Sequence, residues 1–129
     1  MTGPIQVVLF ASTGARDVDF TAKLVDVESS GYARNLTDGI IHGRYREGTS
    51  ETRLLEPGRI YEYTIDLNAT SNHFKKAHSI RLEISSSNFP RFDRNPQTGE
   101  PAAEARLLAP ALQLIHHERA DHPAQVISP

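Results

Sequence analysis

Apolar and polar residues alternate along most of this chain with a period of two, the period of strands that bury one face. The clearest run is 59–67. There Arg59, Tyr61, Tyr63, Ile65 and Leu67 point one way, and Ile60, Glu62, Thr64 and Asp66 the other. Residues 80–86 repeat the pattern, with Ile80, Leu82 and Ile84 against Arg81, Glu83 and Ser85. The run 5–11 (IQVVLFA) is apolar on both faces, which predicts a central strand between two layers. Phe20, Ala22 and Leu24 alternate with Thr21 and Lys23. Val25 and Val27 then fall on the other parity, which predicts a bulge or twist. Glu28-Ser29-Ser30-Gly31 is a turn signal, and residues 32–36 return as the second arm of a hairpin. Residues 40–46, bracketed by Gly39 and Gly48, predict another short strand. Pro110 argues against a helix over 104–114, so 111–117 and 124–128 are read as strands, the second an edge strand. Seven to nine short strands and no convincing helix predict an all-β fold, a β-sandwich or jelly roll.

Composition narrows the function. At 129 residues the chain is long enough for one domain with one core. A formal charge of −2 argues against a general nucleic-acid binder, whose phosphate contacts need a basic excess. With no cysteine, disulfides, thiolate chemistry and Cys-based zinc sites are excluded. No apolar stretch approaches the ~20 residues that span a bilayer, so no membrane partner is expected. The N-terminus lacks a signal-peptide layout, and a cytoplasmic location is expected if the chain is complete.

Candidate chemistry is sparse. The nucleophile-elbow pattern Gly-x-Ser-x-Gly does not occur. Its nearest approach, Gly48-Thr49-Ser50, continues with Glu51 and Thr52. His73, His78, His116, His117 and His122 are close in sequence or in loops, but adjacent strand residues such as His116 and His117 diverge. Glu118 and Asp121 could add oxygens; surface or loop histidines are nevertheless expected rather than a metal site. Asp17 with Asp19, or Asp93 with Asn95, offers too few oxygens for calcium. Tyr61, Tyr63, Phe74, Phe89 and Phe92 could form a sugar-stacking platform, but the chain has no tryptophan, and core or interface positions are expected instead. No catalytic residue, cofactor or metal ligand is therefore assigned.

The loop after the strand at 80–86 stands out. It packs Phe89, Pro90, Phe92 and Pro96 among Asn88, Arg91, Asp93, Arg94 and Asn95. So much aromatic surface must dock against something, either its own domain or a partner. Residues 87–95 are expected to be an interdomain docking loop built on Phe89, Arg91, Phe92, Asp93, Arg94 and Asn95. In this reading the rings supply buried area, Pro90 restricts the loop, and the arginines donate to carboxylates or carbonyls. Asp93 holds one of the arginines in place.

Several strings then fall in one order: DFTAKLVD (19–26), NLTDG (35–39), Pro57-Gly58 with Tyr61 and 64–67, Thr70-Ser71-Asn72 with Phe74, His78, IRLEISSSNFPRFDRN (80–95), and the closing His116 and His122-Pro123. Together they resemble the C-terminal non-catalytic domain of the X-prolyl dipeptidyl-peptidase and cocaine-esterase group of serine hydrolases, over roughly residues 4–128. The resemblance implies a jelly-roll β-sandwich, similar to galactose-binding-like modules, which packs on an α/β-hydrolase domain and helps to hold the catalytic and cap domains. It also implies that the Ser-His-Asp triad lies upstream, so that no triad member falls on this sequence. Substrates of the group are acyl esters, amino-acid esters and peptides with proline second. The segment after Asn95 is less typical of the group, and Lys75-Lys76-Ala77 stands where a Pro-Gly-like turn is usual. The expectation is one β-sandwich domain over 1–129, a C-terminal part of a larger hydrolase. Its partner would be the catalytic domain of that parent chain, and self-association could occur through the exposed docking face. The rival is a free-standing carbohydrate- or ligand-binding β-sandwich module.

Overall fold

The computed structural model describes residues 1–117, 121 and 125–127. Among them are seven antiparallel strands: β1 (Thr2–Thr13), β2 (Asp19–Val27), β3 (Ala33–His42), β4 (Tyr61–Ser71), β5 (Ser79–Ser85), β6 (Gln113–His116) and β7 (Gln125–Ile127). They form two sheets. In one, β1 is flanked by β4 on one side and by β6 and β7 in succession on the other; in the second the order is β3-β2-β5. Strand parity brings the sheets together. Ile5, Val7, Leu9 and Ala11 of β1 meet Phe20, Ala22 and Leu24 of β2 and Tyr63, Ile65 and Leu67 of β4. Phe20 and Tyr63 pack as a tilted ring pair, 4.8 Å between centroids, at the centre of this core. The result is an antiparallel β-sandwich, as the alternation predicts. The expected bulge is present as a register shift between Leu24 and Val25.

Three elements differ from the pattern reading. Residues 40–46 are not a separate strand. β3 runs through Gly39 to His42, and a 3₁₀ turn follows at Gly43–Tyr45. Gly39 is an approach point rather than a bracket: a Cβ there would overlap the Asp66 carbonyl of β4, so its absence lets the two sheets close along this side. Gly43 is similar, because its N–H donates to the Val18 carbonyl at 2.7 Å, where a side chain has no room. That bond draws the chain out of β geometry and into the turn. Ile80 is the third difference. It shares its parity with Leu82 and Ile84 yet is 59% exposed, because β5 is an edge strand on the open side of the sandwich. There a slot of about 230 Å³ remains between the sheets, lined by Leu82, Ile84, Ile115 and Val126. Of the expected edge strand 124–128, Gln125–Ile127 is seen and the rest lies outside the described residues.

The connections are unevenly distributed. β1, β3 and β5 finish, and β2, β4 and β6 begin, at the same end of the sandwich. The short link 14–18 and the two long ones, 43–60 and 86–112, therefore cluster there. The opposite end carries the 28–32 turn and the 72–78 loop.

Candidate functional site

The crowded end is built around buried carboxylates. Asp17, Asp19 and Asp38 are all buried. A buried charge is costly unless it is paired and hydrogen-bonded, and each of these is. Arg44, on the 3₁₀ turn, donates from Nε to Asp17 Oδ2 at 2.9 Å and lies 2.8 Å away through Nη2; its backbone N–H donates to Oδ1 at 3.2 Å. Its guanidinium also reaches the Glu100 carbonyl, tying the 86–112 link to the turn. Asn95 bridges two carboxylates with one amide: Nδ2 lies 2.9 Å from Asp17 Oδ2 and 2.7 Å from Asp19 Oδ1. His42 Nδ1 is 3.0 Å from the same Asp19 oxygen. Burial pushes the Asp19 carboxyl above its ordinary value, and the nearby Asp17 adds to this. The hydrogen bonds from Asn95 and His42, with the His42 charge, offset only part of it. Asp38 receives Arg91 Nε at 2.9 Å and Asn88 Nδ2 at 3.2 Å.

The loop 87–95 is thus fastened at three points, Asn88, Arg91 and Asn95, to acidic residues of its own domain. The rings and the last arginine are held differently. Phe89 is 57% exposed, and the Arg94 guanidinium lies over its face at 4.8 Å. Phe92 is half-buried, with Arg91 over it at 5.5 Å. Asp93 does not clamp either arginine as the sequence reading expects. Arg91 turns instead to Asp38, a buried acceptor that outcompetes a solvated neighbour. Among the described residues neither Asp93 nor Arg94 has an ion pair.

Two clefts flank the loop. The larger, about 580 Å³, is lined by Asp17, His42, Arg44, Phe92 and Arg94, with residues 101–103 opposite. The second, about 510 Å³, lies between Phe89, Arg94 and Gln97 on one side and Leu108 and Ala109 on the other. Leu108 is strongly exposed there. His42 with Asp19 has the form of a base and its orienter, but among the described residues no Ser, Thr or Cys lines that cleft, so none of them is a nucleophile for the pair to activate. Ser12 Oγ and His116 Nε2 are 3.1 Å apart, yet Ser12 is buried and borders neither cleft.

The opposite end holds a second hub. Asp26, 1% exposed, accepts His78 Nδ1 at 2.8 Å, Arg34 Nη2 at 3.2 Å and Asn72 Nδ2 at 3.4 Å. Burial alone would raise this carboxyl. The hydrogen bonds from His78, Asn72 and Arg34, with the His78 charge, outweigh it and hold Asp26 below its ordinary value.

The other candidates disperse. Tyr63 is in the core, its hydroxyl pushed up to about 12 by burial, and Tyr61 is half-buried under Arg46, so the five rings make no sugar-stacking platform. Glu118 and His122 lie outside the described residues. No described helix is long and apolar enough to cross a membrane. The carboxylate network is what sequence reasoning missed. Its signal was present in aspartates set inside apolar runs, Val18-Asp19-Phe20 and Val25-Asp26-Val27, where a charge must find partners.

Comparison with known proteins bears on the whole chain. A family model described as the X-Pro dipeptidyl-peptidase C-terminal non-catalytic domain matches residues 1–127. The cocaine esterase of Rhodococcus sp. (strain MB1 Bresler) is 46% identical over the full chain, which covers 23% of that relative. Among solved structures, an α-amino acid ester hydrolase superposes with a TM-score of 0.87 at 30% identity, covering 96% of this chain and 22% of its own. An aminopeptidase from a marine-sediment Thaumarchaeota archaeon gives 0.83 at 34% identity, covering 98% and 23%. The chain spans less than a quarter of the length of these relatives.

Proposed function

The chain belongs to the family of X-Pro dipeptidyl-peptidase C-terminal non-catalytic domains, and from that premise we propose that it is the accessory domain of a serine hydrolase that cleaves acyl or amino-acyl esters. The catalytic machinery lies in the part of the parent chain that precedes this domain. The domain's work is mechanical: it packs on the α/β-hydrolase portion and stabilises it, with residues 87–95 as the docking loop. One observation carries this reading. The loop is fixed from within by Asn88, Arg91 and Asn95, while Phe89 and Arg94 are left facing outward. A loop already ordered loses little entropy on docking, and aromatic and arginine side chains are those that most often dominate interfaces. Arg91 and Asn95 set the loop's shape; Phe89, Phe92, Asp93 and Arg94 present it.

The test is hydrolysis of p-nitrophenyl acyl esters and X-Pro anilides by the 129-residue chain and by the full-length protein that contains it. The expected result is turnover by the full-length protein only, abolished when its upstream nucleophilic serine is replaced. Turnover by the 129-residue chain, lost on changing one of its own serines, would overturn the reading.

A further inference from the structure

Arg94 differs from the other cations around the two clefts. Arg44 is committed to Asp17, His42 to Asp19 and Arg91 to Asp38. Arg94 has no carboxylate among the described residues, yet it lines both clefts and stacks on an exposed ring. A guanidinium held flat by a ring keeps its edge donors free for a bidentate acceptor. Exposed apolar side chains, Phe89 and Leu108, line the second cleft with it. Asp93, the other unpaired charge, borders only the first cleft.

Resting on the docking role proposed above, we propose that the cleft between residues 86–97 and 108–109 seats a segment of the catalytic portion that carries an Asp or Glu beside an apolar side chain, the carboxylate pairing with Arg94 and the apolar group covering Phe89 and Leu108. Size permits this occupant. In a family of C-terminal domains the catalytic portion joins at the start of β1. That point lies ~35–40 Å from the clefts, the length of a 12-residue strand. Some three quarters of each relative lies outside the matched region. A body of ~400 residues has a radius of gyration of ~21 Å, so it is ~50 Å across and reaches the far end of the sandwich. Charge permits it too. Among the described residues, a partner carboxylate meets the one unpaired cation that lines this cleft, while a partner cation meets no unpaired anion there.

The experiment compares Arg94→Glu, Arg94→Lys and Phe89→Ser in the full-length hydrolase and in the 129-residue chain. The readouts are the rate of heat inactivation of the former, the melting of the latter, and the sedimentation of both. Breaking one side of a desolvated charge pair should speed inactivation of the full-length protein ~10-fold or more for Arg94→Glu. Phe89→Ser should act in the same direction, and Arg94→Lys much less. The melting of the 129-residue chain should not move with any of the three. If Phe89→Ser acts and Arg94→Glu does not, the docking role survives and the carboxylate pairing is wrong. If neither changes inactivation, both fall. Equal loss in the 129-residue chain makes the loop internal scaffolding. Conversion of a full-length dimer to monomer by these changes assigns the cleft to a second copy instead.

Discussion

Replacing Asn95 by Ala should be among the most damaging single changes that remove no apolar core. The side chain gives one amide to two buried carboxylates, at 2.9 Å and 2.7 Å, and its own Oδ1 accepts the Gln97 N–H at 2.8 Å. A hydrogen bond to an ionised acceptor contributes ~1.5–3 kcal/mol. Asp17 keeps Arg44 and Asp19 keeps His42, so neither is orphaned. The expected loss is therefore ~2–4 kcal/mol rather than the sum of two full bonds. For a domain of this size that lowers Tm by ~10 °C. The pH dependence gives a sharper signature. Asp19 titrates above its ordinary value when folded. The stability linked to its proton is thus complete below the unfolded value and is lost as pH rises through the folded one. Removing Asn95 takes away a lowering influence and moves the folded value further up. The deficit of Asn95→Ala should then be largest at neutral pH and shrink toward about pH 4. Asn95→Asp, which sets a third carboxylate against the pair, should be worse at pH 7 and recover more on acidification. Urea unfolding of the 129-residue chain from pH 7 to 4 measures this. A loss under ~0.5 kcal/mol, or a deficit independent of pH, would refute the idea that these carboxylates hold the loop.

Three further outcomes follow from the geometry. The Tyr63 hydroxyl is buried with no partner among the described residues, so Tyr63→Phe should keep the ring pair with Phe20 and raise stability by ~1 kcal/mol in urea unfolding. Ala77 sits at φ +68°, where a Cβ costs ~1–2 kcal/mol; Ala77→Gly regains this less the added freedom of the unfolded chain, for a net gain of ~0.5–1 kcal/mol and a higher Tm. Asp26 titrates below its ordinary value, so its contribution is present above the unfolded carboxylate value and lost as pH falls through the folded one; Asp26→Asn should flatten the acid limb of the stability profile, and an unchanged limb would contradict the hub.

Much of the fold was legible because alternation reports a local property, which face of a strand is dry. The parity of β4 is as read: Tyr63, Ile65 and Leu67 are buried, and Glu62, Thr64 and Asp66 are exposed. What misled were positions whose meaning depends on the other sheet. Gly39 looks like a turn residue in sequence, but its role is set by the Asp66 carbonyl. Ile80 has the parity of a core residue but not the cover, because its strand is at an open edge. Ala77 marks the departure from a Pro-Gly-like turn noticed in the sequence, and the chain forms a turn there with a residue poorly suited to it. The site was half legible. Its residue types drew attention to 87–95, but the pairings did not follow from proximity. Asp93, the nearest anion to Arg91 and Arg94, pairs with neither. The bonds that shape the loop join residues 50, 76 and 78 positions apart.

The central claim is that this domain supports a catalytic portion it does not itself supply. The most direct measurement is the temperature at which the full-length hydrolase loses half its esterase activity, set beside that of a chain ending before Thr2, with and without the 129-residue chain added in trans. The account predicts a markedly lower temperature for the shortened chain and partial recovery when the domain is returned. An unchanged temperature on removing the domain would contradict it.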